Sequence, residues 1–427
     1  MNEAGSRLIG MWRAVWRRHG GKVRVAGLGY LAVAAVGKTL YSLPRLVSDI
    51  EPWSALDLRY RFNEVREWFA GNPVYGVVDG AVYPPASHVI LWPFIGWLPL
   101  DGARMVWALT TLAAAVVVAW LLFRASEAGG PRDGERTPDG TRTLDRMLLA
   151  GLALASYPLH IGMGVGQLGM HVAAFAIAGA AILVWARASL RIDIVAGLLL
   201  ASALVKPTVS LPIVMAAVIV AGRARPAVLV AGIYGAITLA AAALQPATLL
   251  TLVRDWLAIA SVRVPIEDGV PNLHLLLLWL GLDGWMTPAS LVLISVAGVW
   301  MWHVRHSDPW LLLGIAALIA RFWAHSTLYD DVILLLPALA LLRTASQRAD
   351  VHGTVAGWLF AGVWAALLTP TWAFYGRSGT VLHALQGVQA ALWLAVLTLL
   401  VMRVRDGVPS RESGADPASP GKSGSYC

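Results

Sequence analysis

This chain is poor in charge and nearly without cysteine. Of its 427 residues only 14% are Asp, Glu, Lys or Arg, against about 25% in soluble domains. So little charge cannot cover a globular core of ordinary size. The single cysteine is Cys427, so the chain closes no disulfide on itself and offers no thiol near any motif. Also missing are a phosphate-cradling Gly-Lys-Ser/Thr loop, a dinucleotide glycine fingerprint, zinc-ligand spacing and a Gly-x-Ser-x-Gly elbow. These absences count against an ATP-driven pump and the common hydrolases. No repeat of fixed period is evident, and no stretch is suited to a soluble domain of useful size.

What the chain has is hydrocarbon. It is 58% hydrophobic with a mean hydropathy of +0.65, and apolar runs long enough to cross a bilayer recur along almost its whole length. The expectation is an all-α polytopic membrane bundle of about twelve transmembrane helices. The candidate spans are 25–45, 105–123, 147–163, 169–186, 193–205, 209–221, 227–244, 289–304, 309–324, 331–343, 354–370 and 381–402. A further stretch, 86–100, is short and broken by Pro93 and Pro99, and reads as re-entrant or interfacial.

The net charge of +8 does not imply nucleic acid, because Lys and Arg gather in cytoplasmic loops of membrane proteins. Basic clusters stand at Arg124 to Arg146, Arg187 and Arg191, Arg223 and Arg225, Arg305, Arg343 with Arg348, and Arg403 with Arg405. If all are cytoplasmic, the twelve spans alternate without conflict. Residues 1–24 then form a cytoplasmic N-terminal segment, too charged for a simple cleavable signal. Residues 25–405 form the membrane domain, and 406–427 a polar, disordered cytoplasmic tail. The same sorting sends Asp57 to Pro85, Gly166-Gln167, Lys206-Pro207, the loop Gln245 to Pro288, and Arg321 to Asp331 to the extracytoplasmic side of a plasma (inner) membrane. The basic loops lie on one face and the chemically capable residues on the other.

Asp57 opens a segment with Leu58, Phe62, Val65 and Phe69 on one helical face and Arg59, Arg61, Asn63, Arg66 and Glu67 largely elsewhere. This is an amphipathic helix suited to the interface. Asp57 can serve as a general base toward an acceptor hydroxyl, or it can be a helix-start carboxylate, since Ser54-x-x-Asp57 fits a capping box. Asp49 and Glu51 compete for the first role. Tyr83-Pro84-Pro85 reads either as pocket floor or as a stiff entry into a membrane segment. Gln167 in GVGQLGMH can bond a sugar or a phosphate, or bridge helices.

Lys206 lies between apolar runs with no acidic residue nearby in sequence. An unpaired ammonium at that depth is costly and functional by default, with a phosphate as a natural partner; the plainer reading is snorkelling at a hairpin tip. Arg321, His325 and Tyr329 follow i, i+4, i+8, which on a helix sets all three on one face. Arg and His together can neutralise a phosphate leaving group. Asp330 and Asp331 follow; they suit a hard cation or pairing with Arg321, and no obligatory metal or cofactor is expected. The loop 245–288 carries Arg254, Asp255, Trp256, Arg263, Glu267, Asp268, Asn272 and His274 and reads as two short amphipathic helices. Among 20 tryptophans, Trp53, Trp68, Trp285, Trp323 and Trp372 can stack on sugars or anchor the interface.

The order of these motifs resembles the GT-C class of polyprenyl-phosphate-sugar-dependent glycosyltransferases. It is closest to family 87, which includes mannosyltransferases and arabinofuranosyltransferases. The carrying residues are Asp57 with AGNPVYG and VYPP, Gly166-Gln167, Lys206-Pro207 and RFWAHSTLYDDVILLLPAL, over about residues 25–405. The resemblance implies a GT-C helical bundle whose first extracytoplasmic loop carries an essential acid, by position Asp57. It also implies a lipid monophosphate sugar donor and inverting transfer. Lys206, Arg321 and His325 would then hold the donor phosphate, and Tyr83, Gln167, Tyr329 and Asp330 would line the substrate. The sugar, hexosyl and by resemblance mannosyl, would go to a glycolipid or polysaccharide acceptor. Well-studied mannosyltransferases of the family have a His-rich segment where this chain has WAHSTLYDD, so their acceptor does not carry over. A lipid-linked-sugar transporter would need polar residues through the full depth of the bundle. A lipid-diphosphate-dependent polymerase would need a large arginine-rich outer loop.

Overall fold

The computed structural model describes residues 3–127, 139–262, 272–347, 350–370 and 379–406. These are helical throughout, with no strand among them. In chain order the helices are α1 (Glu3–Val47), α2 (Leu56–Phe69), α3 (Pro85–Leu91), α4 (Leu100–Ala125), α5 (Asp139–Ala155), α6 (Tyr157–Val165), α7 (Gly169–Trp185), α8 (Leu190–Ala203) and α9 (Pro207–Val220). There follow α10 (Ala224–Ala243), α11 (Leu249–Val262), α12 (Leu273–Trp279), α13 (Met286–His303), α14 (Pro309–Phe322), α15 (Leu335–Gln347), α16 (Val351–Leu368) and α17 (Gly379–Asp406). Trp92–Gly96 is one π-helical turn, and Asp283–Trp285 and Leu328–Leu334 are 3₁₀ segments.

Seven of the described helical stretches are long and apolar enough to cross a membrane: Gly20–Val47, Leu100–Ala125, Arg142–Val165, Ala224–Ala243, Asp283–His303, Val351–Leu368 and His383–Asp406. Helices occupy all twelve expected positions, but α7, α9 and α14 are apolar and shorter. The chain is a multi-pass membrane protein, and among the described residues seven of the expected crossings meet the length of a full span. The segment 86–100 is split between the seven-residue α3 and the π turn, too short to span a bilayer of ordinary thickness.

Local chemistry sets the breaks. Helix α5 stops at Ala155 because Pro158 cannot donate a backbone N–H to the Leu154 carbonyl. His160 Nε2 takes that place at 2.8 Å, and Lys38 Nζ bonds the next carbonyl, Ala155, at 2.9 Å. Helices α9 and α14 begin on prolines, Pro207 and Pro309, where the missing N–H costs nothing. Asp308, Asp350 and Asn272 cap α14, α16 and α12 through their side chains.

Helices α7, α14 and α15 are buried along most of their lengths and form the centre. Helix α1 lies outside, its membrane-length stretch only 6% buried. Apolar side chains such as Val33, Val116, Val228 and Val292 face outward, as lipid contact requires. At one end Arg343 donates to the Ala125 carbonyl at 2.7 Å and to Asp308 at 2.6 Å, joining the ends of α15, α4 and α14. Arg223 meets Asp193 at 2.6 Å between α10 and α8. Residues Arg348 and 407–427, expected as part of a basic cluster and as the tail, lie outside the described residues.

Candidate active site

The site forms where α6 and α14 end and α9 begins, with the first turn of α2 laid against them. Helix α6 ends at Gly166, whose φ of 75° is left-handed and suits glycine. A Cβ there would also lie 2.5 Å from Leu58 Cβ, so α2 seats directly on this turn. The Ala55 N–H donates to the Gly164 carbonyl at 3.0 Å, pinning the start of α2, and Ala55 itself takes a left-handed φ of 49°. Gly169 closes the other side: a Cβ there would stand 2.8 Å from the Tyr329 carbonyl oxygen.

Asp57 is half-buried in the first turn of α2, near the Gln167 side chain. The expected capping box is absent. The helix N-cap is Ala55 without a side-chain cap, and Ser54 Oγ accepts instead from the Glu51 N–H at 3.0 Å. Loss of water pushes the Asp57 carboxyl above its ordinary range, with Asp330 adding to the rise. The charges of Arg61 and Lys206 and the polar Gln167 side chain work against it.

One turn on, Arg61 is 4% exposed. It meets Glu64 at 2.8 Å, donates to the Gly80 carbonyl at 2.5 Å and lies over the Tyr83 ring at 4.2 Å. The inner face of α2 is therefore Leu58, Arg61, Phe62, Glu64, Val65 and Trp68, while Phe69 is exposed. This corrects the expected division into an apolar and a charged face. The Arg61–Glu64 pair was missed; its signal was an i, i+3 ion pair inside the apolar stripe 58, 62, 65. Tyr83 is buried, its carbonyl accepts from Tyr75 Oη at 2.8 Å, and its hydroxyl stands 3.4 Å from Gln167 Oε1.

Lys206 is the N-cap of α9 and is buried, but it is not unpaired. Its Nζ meets Asp330 Oδ1 at 2.6 Å and lies 4.9 Å from the Tyr329 ring centre. The second Asp330 oxygen accepts from Thr327 N at 3.1 Å and Thr327 Oγ1 at 3.0 Å. Thr327-x-x-Asp330 is thus a capping box, a pattern legible in the sequence. The expected helical stripe of Arg321, His325 and Tyr329 does not exist, because α14 ends at Phe322 and helix resumes as 3₁₀ at Leu328. Consecutive aspartates therefore face different partners: Asp330 takes Lys206, while Asp331 takes Arg321, which also donates to Ser326 Oγ at 3.2 Å. His325 is half-buried in the link, and burial pulls its imidazole down to about 4, so it is neutral at physiological pH.

The rivals to Asp57 are engaged elsewhere, Asp49 with Arg104 and Glu51 with Arg45. Among the described residues no three His, Cys, Asp or Glu cluster as a metal site would need. The loop 245–288 does form two helices, α11 and α12. Trp256 Nε1 donates to the Val82 carbonyl at 3.0 Å, and Gln245 Nε2 to the Trp68 carbonyl at 2.7 Å. His274 Nε2 and Ser290 Oγ are 2.8 Å apart, with the serine donating to the Trp323 carbonyl. Arg254 and Asp255 lie on α11, whereas Arg263, Glu267 and Asp268 are outside the described residues, as is Trp372. Of the other tryptophans singled out, Trp68 and Trp323 are buried and hydrogen-bonded to the carbonyls of Ala241 and Thr208. Trp53 and Trp285 are exposed.

These features define a multi-pass helical membrane protein with a mostly buried cluster of charged and polar side chains built from α2, α6, α9 and the Leu328–Leu334 segment. The model of glycosyltransferase family 87 matches residues 81–328, more than half of the chain, and the chain belongs to that family. It is a membrane glycosyltransferase. The matched stretch includes Tyr83, Gln167, Lys206, Arg321 and His325, while Asp57, Tyr329 and Asp330 lie outside it. Neither a curated protein nor a solved structure matches the chain.

Proposed function

We propose that this glycosyltransferase moves a sugar, hexosyl and by family resemblance mannosyl, from a polyprenyl-phosphate donor to a glycolipid or polysaccharide acceptor. The reaction takes place on the extracytoplasmic side of the inner membrane, with inversion at the anomeric carbon. Asp57 is the general base. The acceptor O–H gives its proton to the Asp57 carboxylate while its oxygen attacks the anomeric carbon. The bond from that carbon to the phosphate oxygen breaks, and polyprenyl phosphate leaves with the electron pair. Lys206 meets the phosphate, with Arg321 adding positive field. His325, being neutral, contributes a hydrogen bond rather than a charge. Tyr83, Tyr329 and Asp330 face the sugar.

One observation carries this reading. Glu64, Asp330 and Asp331 each have a cation in contact, whereas Asp57 has none within salt-bridge distance among the described residues. Burial raises the basicity of both Asp57 and Asp331, but Asp331 is occupied by Arg321, which leaves Asp57 free to take a proton as a general base must. The test is incubation of detergent-purified protein with radiolabelled polyprenyl-phosphate sugars and membrane lipids. Wild type should form labelled product. Asp57→Asn should lose at least about a hundredfold in rate while eluting as a folded monodisperse species. Full transfer by Asp57→Asn defeats the assignment, and equilibration of label across liposomes without product would instead identify a transporter.

A further inference from the structure

The backbone that carries Lys206 is pinned through its carbonyls. Lys206 stands in the link between α8 and α9, and side chains from other elements take the carbonyls around it. Tyr234 Oη donates to Leu204 at 3.3 Å, Ser87 Oγ to Val205 at 2.8 Å and Trp323 Nε1 to Thr208 at 2.6 Å. The Thr208 carbonyl is open to Trp323 because its helical partner four residues on is Pro212, which has no N–H. Of the three donors, Trp323 comes from the stretch that leads into Asp330, the partner of Lys206 at 2.6 Å. Trp323 is itself held along its backbone. Its N–H donates to the Ile319 carbonyl at 2.9 Å, ending α14, and its carbonyl accepts from Ser290 Oγ at 2.7 Å. The serine's one proton goes there, so His274 Nε2, 2.8 Å away, is the donor to Ser290. A chain of hydrogen bonds thus runs from α12 through α13 and Trp323 to the first turn of α9. Trp323 is 7% exposed and its indole N–H is engaged, so its ring packs into the protein rather than facing a sugar.

We infer that Trp323 is a positioning residue for the donor phosphate: its indole N–H, bonded to the Thr208 carbonyl, sets the start of α9 against the Asp330 segment and so fixes where the Lys206 ammonium stands. The inference rests on Lys206 meeting that phosphate. Lysine is a point charge on a flexible stem, so its place is set by its own backbone and by the carboxylate it meets. Trp323 joins these two, since Thr208 lies two residues after Lys206 and Trp323 seven before Asp330. Without the indole bond, the first turn of α9 is free to shift against the turn 323–327. This role is separable from merely satisfying a carbonyl. Pro212→Ala supplies the missing N–H from within α9 but makes no link to the Asp330 segment.

The measurement is the stabilisation of the full-length protein in detergent by polyprenyl phosphate, read as the rise of melting temperature with ligand concentration, which yields a Kd. Trp323→Phe keeps a ring and removes the N–H. It should lower the melting temperature and weaken polyprenyl phosphate about fivefold, the worth of one hydrogen bond. Trp323→Phe/Pro212→Ala should regain the melting temperature but not the affinity. Recovery of both would overturn the inference and leave Trp323 as a partner for a carbonyl alone, and so would an unmoved Kd in Trp323→Phe. Ser290→Ala, which frees the Trp323 carbonyl instead, serves if the phenylalanine variant does not fold, and should weaken the ligand in the same sense. Failure of the donor reading looks different. If polyprenyl phosphate stabilises Lys206→Met/Asp330→Asn as well as wild type, or stabilises neither, Lys206 does not meet the phosphate. Melting alone then decides the link between Trp323 and the ion pair. Trp323→Phe should lose less in that double variant than in wild type, because both changes act on one contact, and equal losses would overturn the link.

Discussion

Lys206 and Asp330 lie 124 residues apart in the chain and meet at 2.6 Å, with side chains 10% and 2% exposed. This contact ties the start of α9 to the Leu328–Leu334 segment and sets a neutral pair beside Asp57. Removing one partner of a buried ion pair leaves an uncompensated charge, at a cost of about 3–5 kcal/mol. Lys206→Met and Asp330→Asn should each lower the melting temperature of the purified protein. The double variant Lys206→Met/Asp330→Asn, which keeps a side-chain oxygen for Thr327, should recover most of that loss but no transfer activity. An unchanged melting temperature in both single variants would show that the pair carries no such energy.

Asp57 couples activity to stability in opposite senses. Its folded-state pKa is raised by burial, so it is protonated at a higher pH than a free carboxylate of about 3.9. The rate should fall with acidification along a limb lying above that value. The same shift means that stability is fullest below the unfolded pKa and is lost as pH rises through the folded one. Asp57→Asn should therefore melt no lower than wild type at pH 7, and higher if the shift is large. A variant both inactive and less stable would point to a structural role for Asp57.

Gly166 allows a test of the clamp beneath α2. An alanine there meets a left-handed φ of 75° and stands 2.5 Å from Leu58 Cβ. The backbone cost alone is about 1–2 kcal/mol, and the overlap adds to it. Gly166→Ala should lower the melting temperature clearly, whereas Gly357→Ala, with nothing within 4 Å of the new Cβ, should not lower it.

Asp49 and Glu51 are held by Arg104 and Arg45, whose hydrogen bonds keep both carboxyls below their usual range. Asp49→Asn and Glu51→Gln should retain transfer activity under conditions in which Asp57→Asn does not. Loss in either one alone would move the base away from Asp57.

His325 is neutral above a pH of about 4. His325→Gln, which keeps a hydrogen-bonding group and carries no charge, should retain most of the activity, and the pH–rate profile should show no step near 6.5 that this substitution removes. A step near 6.5 abolished in His325→Gln would mean that the imidazole is charged during turnover.

Several local features were readable in advance. The α2 helix was expected from its periodicity, α9 and α14 open on the prolines that should open them, and helices stand where apolar runs were marked. The Arg321–His325–Tyr329 stripe failed because spacing was taken as continuity. Trp323 to Thr327 leave the helix, Ser326 bonds back to Arg321, and Thr327 caps a new segment. The Thr-x-x-Asp pattern that marks this restart was on the page. Arg61 was placed off the apolar face and Glu64 was not singled out, since nothing near them in sequence says that their shared side of α2 is covered.

Hydropathy, helical period and turn chemistry act between neighbours in the chain, and from them come the membrane setting, the helices and the place of Asp57 at the head of α2. The partner of a buried charge need not be a neighbour. That Lys206 belongs to Asp330, and that it is Asp331 and not Asp330 that takes Arg321, was decided only when α9, α14 and the Leu328–Leu334 segment packed together. At that depth water is too scarce to solvate a charge, so each must be met by whatever side chain the packing brings within about 3 Å.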